Sequence, residues 1–349
     1  TYTDMKLIIG EENNSQQWDT IVDRSPNGAL FYTWKWLKLL EKYSVIKIAG
    51  FKFNAQFFPL FITQNEIIIG IYPLYLFRTP LRTLCYSPPS NIDLLYLGPL
   101  IPDLETMKQE KKQIFLQDLQ IQADRFIKKN LKANYIQINT PPGFSDCRLF
   151  KWGGYSATPR YTYHIDLTCG SDNILKNFNR SLRYYIEKAK KEGITVSDGT
   201  REDAFFIRDM LAKRNRIHSP EDYLSELFTF FSPDHIKVFI ARAGSERLSG
   251  IITIAYKDMV SFWIGAPKCL FKGLSPNELL LWEAIRWSAD NHYKVFQILG
   301  ADDYSLFPFK RKFNGTTVPY YQLKWLSPIN NLMSSIYHAL KQNNELDLS

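Results

Sequence analysis

The densest cluster of groups able to hold an anion is Phe309-Lys310-Arg311-Lys312-Phe313-Asn314-Gly315, three consecutive cations set between aromatic residues and closed by a turn. Lysine binds a phosphate oxygen or a developing oxyanion as a point charge, arginine as a planar fork. Lys310 is the candidate for direct action, with Arg311 as a substrate-binding neighbour and Lys312 beside them. Asp302, Asp303 and Tyr304 lie a few residues earlier and can take or relay a proton, and Asp93 is a further candidate base. The sequence does not choose among them; Asp302 and Tyr304 are grouped with Lys310 as the catalytic set. His218, His235 and His292 stand alone, without the Ser or Cys arrangement of a triad. Trp263 falls on a strand and is expected in the core.

A second anion feature is Pro267-Lys268-Cys269-Leu270-Phe271-Lys272-Gly273-Leu274-Ser275-Pro276-Asn277-Glu278-Leu279. Ser275 as N-cap, Pro276 at the first helical position and Glu278 three residues after Ser275 predict a capping box. The free N–H groups of such a helix start, with Lys268 and Lys272 close by, can hold a phosphate. Lys272, Gly273, Ser275 and Asn277 are therefore expected to bind substrate. The third feature is a helix over 172–192 closed by Gly193. At about 100° per residue, Ile174, Leu175, Phe178, Leu182, Tyr185, Ile186 and Ala189 form one buried stripe. Arg183 lies at its edge, within reach of a cleft, and together with Lys188 is expected to contact substrate. From Lys176 to Arg216 there are 11 basic and 6 acidic residues, so +5 of the net +8 comes from this stretch.

These groups must be positioned by a large core. The 349 residues predict two units, and 45% hydrophobic with 22% charged residues is a globular composition. Helices are expected at 33–43, 104–130, 172–192, 201–215 and 276–291. Strands are expected at 46–53, 57–63, 67–76, 94–98, 135–139, 194–196, 236–242, 248–257, 260–266 and 294–299. Hairpins mixed with helices favour α/β layers over a uniformly parallel sheet. The expected division is 1–153, 154–328 and a terminal segment 329–349, whose helix over Asn330–Lys341 can pack back on either unit, the first included. No apolar run of about 18 residues marks a transmembrane helix, and the start does not read as a signal peptide. The four cysteines, Cys85, Cys147, Cys169 and Cys269, match neither metal-ligand nor disulfide spacing, so no metal is expected and the thiols are expected reduced.

The order Leu182-Arg183-Tyr184-Tyr185-Ile186-Glu187-Lys188-Ala189-Lys190-Lys191-Glu192-Gly193, Ser275-Pro276-Asn277-Glu278-Leu279-Leu280-Leu281-Trp282, Leu299-Gly300-Ala301 and Phe309 through Gly315 resembles the Fem-like branch of the GNAT acyltransferases. Phe31-Tyr32-Thr33-Trp34-Lys35-Trp36-Leu37, Tyr86-Ser87-Pro88-Pro89 and Leu97-Gly98-Pro99-Leu100 extend the resemblance over residues 30 to 320. It implies two tandem GNAT-like domains with mixed central sheets and a cleft between them. It also implies an N-acyl or aminoacyl transferase acting on a phosphorylated cell-envelope or polysaccharide precursor. The donor implied is aminoacyl-tRNA or acyl-CoA, and the acceptor an anionic small molecule or a lipid-linked precursor. In that setting Lys310 stabilises the oxyanion or the donor's phosphates, in the cytoplasm or at the inner membrane face with peripheral membrane contact. The glycine-rich Q/R-x-x-G-x-G/A pattern of coenzyme A sites is not matched, which favours aminoacyl-tRNA, and Asn314 replaces the first glycine of the family's F-G-G ending. A coenzyme A-dependent N-acetyltransferase and a non-catalytic module for RNA or an anionic polymer are the alternatives.

Overall fold

The computed structural model describes residues 4–144, 146–217 and 219–328. His218 and the expected terminal helix within 329–349 lie outside the described residues. The strands are β1 (Met5–Ile9), β2 (Val45–Ile48), β3 (Phe51–Asn54), β4 (Gln56–Gln64), β5 (Ile67–Arg78), β6 (Thr83–Ser87) and β7 (Tyr135–Asn139) in the first half of the chain. The second half supplies β8 (Ser156–Asp166), β9 (Ile194–Asp198), β10 (Ile236–Ala243), β11 (Glu246–Tyr256), β12 (Met259–Gly265), β13 (Val295–Ile298) and β14 (Thr316–Leu326). Between them run α1 (Ser15–Arg24), α2 (Trp34–Tyr43), α3 (Gln109–Asp124), α4 (Arg148–Trp152), α5 (Ser171–Asn177), α6 (Arg180–Lys191), α7 (Arg201–Ala212), α8 (Glu221–Phe231), α9 (Asn277–Asp290) and α10 (Phe307–Lys310).

Twelve strands form one sheet in the order β1-β4-β5-β6-β7-β14-β8-β13-β12-β11-β10-β9, with β2 and β3 as a separate hairpin. The same pattern occurs twice. β1, β4, β5 and β6 are antiparallel neighbours, and β7 then runs parallel to β6. β9, β10, β11 and β12 repeat this, with β13 parallel to β12. The first set is completed by a strand of the second half, β14, which pairs with β7, and the second set by its own β8, which pairs with β13. β8 and β14 pair with each other from Ser156↔Lys324 to His164↔Thr316, which makes the sheet continuous.

Hydrophobic packing follows this arrangement. On one side a single core contains Trp18, Trp36 and Tyr75 from the first half together with Ile207, Tyr223 and Ile252 from the second. A further core, around Ile186 and Phe296, belongs to the second half, while the one around Phe115 and Ile136 takes Tyr155 and Leu323 from the second half into the first. Trp36 is fully buried among both halves, in edge or tilted contact with Trp263, Tyr223 and Phe231.

Several expected elements differ. The helix over 172–192 breaks at Phe178-Asn179 because the Asn179 side chain accepts from the Ser181 N–H (2.8 Å) and starts α6 afresh. The buried positions of α6 are thus Leu182, Ile186 and Ala189, while Tyr185 is 41% exposed. The stretch 104–130 is a 3-10 turn at Leu104–Thr106, then α3, then a π-helical turn at Arg125–Asn130. The single strand expected at 46–53 is the β2–β3 hairpin, turned at Ala49 (φ 49) and Gly50 (φ 84), the backbone a tight hairpin needs. Residues 94–98 form no strand.

That segment instead closes the first half. Where the parallel pair β6 and β7 ends, the Gly98 N–H donates to Ser87 Oγ (2.9 Å) and the Leu97 N–H to the Asn139 carbonyl (3.0 Å). Gly98 has φ +71, and a Cβ there would lie 3.0 Å from the Asn139 carbonyl oxygen. In the second half the ends of β12 and β13 open onto a cleft.

Candidate active site

The cleft has a volume of about 780 Å³. The end of β12 and the chain beyond it (Trp263 to Lys268) form one wall, and the start of α9 (Ser275, Asn277, Glu278) another. The chain after β13, from Leu299 to Lys312, supplies the floor, Arg214 and Arg216 lie beyond α7, and Asp93 reaches in from the first half. Lys268, Arg214, Arg216, Lys310 and Lys312 face Asp93, Glu278 and Asp303, so cations outnumber carboxylates in the lining.

Local backbone features set these walls. In the β11–β12 ladder Ile252 pairs with Ile264 and Thr253 with Phe262, leaving Trp263 as an extra residue that bends the strand. Trp263 Nε1 donates to the Asp93 carbonyl (2.6 Å), which ties the two halves at the cleft. At the start of α9, the Asn277 N–H donates to Ser275 Oγ (3.3 Å), and Ser249 Oγ donates to Asn277 Oδ1 (2.6 Å). The expected capping box is not made: α9 begins at Asn277 with Pro276, not Ser275, at the cap and no side-chain cap bond, because Ser275 Oγ is taken by the Asn277 N–H. Glu278 does not reach back towards Ser275; its Oε1 accepts from Lys312 Nζ at 3.2 Å.

Lys310 is the most constrained cation. It ends α10, is 6% exposed, and donates from Nζ to the carbonyls of Leu299 (2.5 Å) and Gly300 (2.7 Å). Gly300 has φ +70, and a Cβ there would lie 3.3 Å from Nζ, so glycine lets the chain after β13 wrap the ammonium. Burial pushes the Lys310 pKa down to about 8, opposed by the nearby charges of Asp303 and Asp302. Among the described residues the third N–H of this ammonium has no acceptor in hydrogen-bond range, and the side chain lines the cleft.

The structure brings Lys310, Ser275 and Asn277 into one cavity. The other expected site residues lie outside its lining. Asp302 accepts from the Tyr161 N–H (3.0 and 3.1 Å), and Tyr304 is 90% exposed. Arg183 and Lys188 are exposed on α6, Lys272 pairs with Glu192 (3.3 Å), Gly273 turns the loop with φ +76, and Arg311 lies over the Phe307 ring (5.4 Å). Asp303 lines the cleft but caps Ser305, whose N–H (2.8 Å) and Oγ (2.6 Å) hold the carboxyl below its usual range. Asp93 also lines it and accepts from the Ser219 N–H (3.1 Å) and Oγ. Trp263, expected in the core, is half-buried in the cleft wall.

Sequence reasoning missed Arg214, Arg216 and Glu278 as lining residues, and a buried polar chain that joins the halves. The first two were visible only as part of a basic stretch, and Glu278 was read as a cap. In the chain, Tyr96 Oη (3.0 Å) and Ser261 Oγ (2.9 Å) donate to Gln297 Oε1, and Gln297 Nε2 lies 3.0 Å from His164 Nε2. Burial lowers the His164 pKa to about 4, so the ring is neutral at pH 7 and accepts from Gln297.

Residues 176–311 match the family model of the acetyltransferase (GNAT) domain. No curated protein matches the chain. Among solved structures, FemX superposes with a TM-score of 0.66 at 15% identity, covering 94% of this chain and 99% of its own. The C-terminal domain of a putative lysylphosphatidylglycerol synthetase from Agrobacterium fabrum gives 0.50 at 13% identity, over 89% of this chain and 92% of its own. L-PGS from Bacillus licheniformis gives 0.50 at 14%, over 92% and 94%. At these identities the likeness is one of fold.

Proposed function

Proceeding from an acyltransferase domain of the GNAT type set in a Fem-like fold, we propose that the chain transfers an aminoacyl or other acyl group to an amine of a phosphorylated cell-envelope or polysaccharide precursor. The observation that carries this reading is Lys310, a buried cation fixed by two carbonyls at the floor of a predominantly basic cleft. Attack on an ester or thioester carbonyl moves negative charge onto its oxygen. A preorganised N–H in a water-poor site stabilises that charge more than water does. The Leu299 and Gly300 carbonyls hold Nζ in place, so little reorganisation accompanies the reaction. Arg214, Arg216 and Lys268 supply charge for phosphate groups of donor or acceptor.

Aminoacyl-tRNA is the donor this reading favours, because the glycine-rich coenzyme A pattern is missing from Pro267 to Leu279. The name of one structural neighbour, a putative lysylphosphatidylglycerol synthetase, supports proposing an aminoacyl donor and a lipid-linked acceptor, with the reaction at the inner face of the membrane as part of this reading. We assign the transfer to residues 154–328 and a supporting role to 1–153. The acetyltransferase name of the matching family model favours acetyl-CoA as the second donor to examine.

Purified full chain is incubated with charged tRNAs or acyl-CoAs and with nucleotide-sugar and lipid-linked amine acceptors, and product is followed by mass spectrometry. Lys310→Met is expected to lower kcat about a hundredfold while the fold is retained. Lack of turnover with every donor and acceptor sinks the reading.

A further inference from the structure

Three carboxylates line the cleft, and their hydrogen bonding separates them. Asp93 is engaged by Ser219, and Asp303 caps Ser305 at an exposed position where water solvates it. Glu278 differs: the residue is 8% exposed, Oε1 holds Lys312, and Oε2 has no hydrogen-bond partner among the described residues. A buried carboxylate oxygen left without a donor is costly, typically by about 1–3 kcal/mol or more, and native structures retain such groups where something else completes them.

We propose that Glu278 Oε2 receives the primary amine of the acceptor, making Glu278 a catalytic residue that selects an amine over a hydroxyl. This rests on the acyl-transfer reading above. A primary ammonium supplies the missing donor, while the cationic rim takes the acceptor's phosphate. Glu278 first holds the ammonium; one proton leaves to solvent as the nucleophile becomes neutral. Attack forms the C–N bond and puts charge on the carbonyl oxygen near Lys310. As the intermediate collapses, the C–O bond of an ester or the C–S bond of a thioester breaks. The second nitrogen proton passes to Glu278 and from there to the leaving oxygen or sulfur. The products are an amide and an alcohol or thiol, and the carboxylate is regenerated.

The test needs no donor. The full chain is titrated calorimetrically with phosphoethanolamine and with 2-hydroxyethyl phosphate, a pair differing in amine against hydroxyl. The expected result is about tenfold tighter binding of the amine, lost in Glu278→Gln. Thermal unfolding checks that this near-isosteric variant is folded. Lys312→Met breaks the ion pair and leaves the carboxylate, so it keeps the amine preference; a purely structural role for Glu278 predicts that both variants behave alike. Equal affinities in the unsubstituted chain, no binding of either probe, or a preference that survives Glu278→Gln overturns the proposal. Turnover assays address the acyl-transfer reading separately, so an amine preference without turnover counts against that reading and not against the amine site.

Discussion

The two halves share a strand order and differ at the gap where the parallel strands separate. In the first half the backbone at Leu97 and Gly98 occupies it, bonded to the ends of β6 and β7. In the second half the equivalent gap between β12 and β13 is the cleft, floored by Lys310. The closing segment is also what the first half contributes to the second: Asp93 enters the cleft wall, and Tyr96 reaches Gln297 on β13. One copy of the fold has become a wall for the other. The difference shows that a scaffold supplies a slot for chemistry only where the chain leaves it open and places charge beneath it.

The largest test of this comparison concerns what the halves share. Trp36→Ala removes a fully buried ring from the core common to both, with an expected cost of about 3–5 kcal/mol, and both halves should then unfold in one earlier transition in denaturant melts followed by fluorescence and circular dichroism. Two separate transitions instead make the halves independent.

A change confined to the closed slot should be smaller. Gly98→Ala puts a Cβ against the Asn139 carbonyl at a positive φ, for an expected cost of about 1–3 kcal/mol, with kcat of the folded fraction retained. A fall in kcat at unchanged stability would mean that the segment does more than form a wall.

The smallest effect belongs to the open slot. The folded-state pKa of Lys310 is lowered to about 8 against an ordinary value of 10.5. Above pH 8 the folded chain releases this proton while the unfolded chain keeps it, so stability rises with pH towards 10.5. Relative to Lys310→Met, the native chain should gain about 1 kcal/mol between pH 8 and 9. A parallel pH dependence for the two proteins would remove Lys310 from its buried position.

Helices α2, α3, α7 and α9, the hairpins of the second half and the region after β13 were legible because periodicity and turn residues are local signals, whereas α1 and α8 went unread. The pairing of β8 with β14, and the crossing of β14 to β7, were not legible. β8 contains Pro159 and Arg160, β14 contains Pro319, and alternation is weak in both, while their long pairing depends on chain far away. The break before α6 was present in Asn179 but outweighed by the apolar stripe around it. At the site, Lys310 stood out by type and setting. Tyr304 did so only by proximity in sequence, and the turn that Asp303 caps leaves it in solvent. Glu278 was masked by a local pattern that fits a cap, since its pairing with Lys312 depends on tertiary structure.

The loan of β14 to β7 has a consequence for biosynthesis. A ribosome releases the first half with one edge of β7 unpaired, and that edge waits until Leu326 has emerged. In the second half β8 is made before the β13 edge it covers, and its own outer edge is left for the same strand, β14. The earlier-made half therefore waits the longer, and that interval, with bare backbone amides and carbonyls along β7, is the stage at which a nascent chain is most open to mispairing.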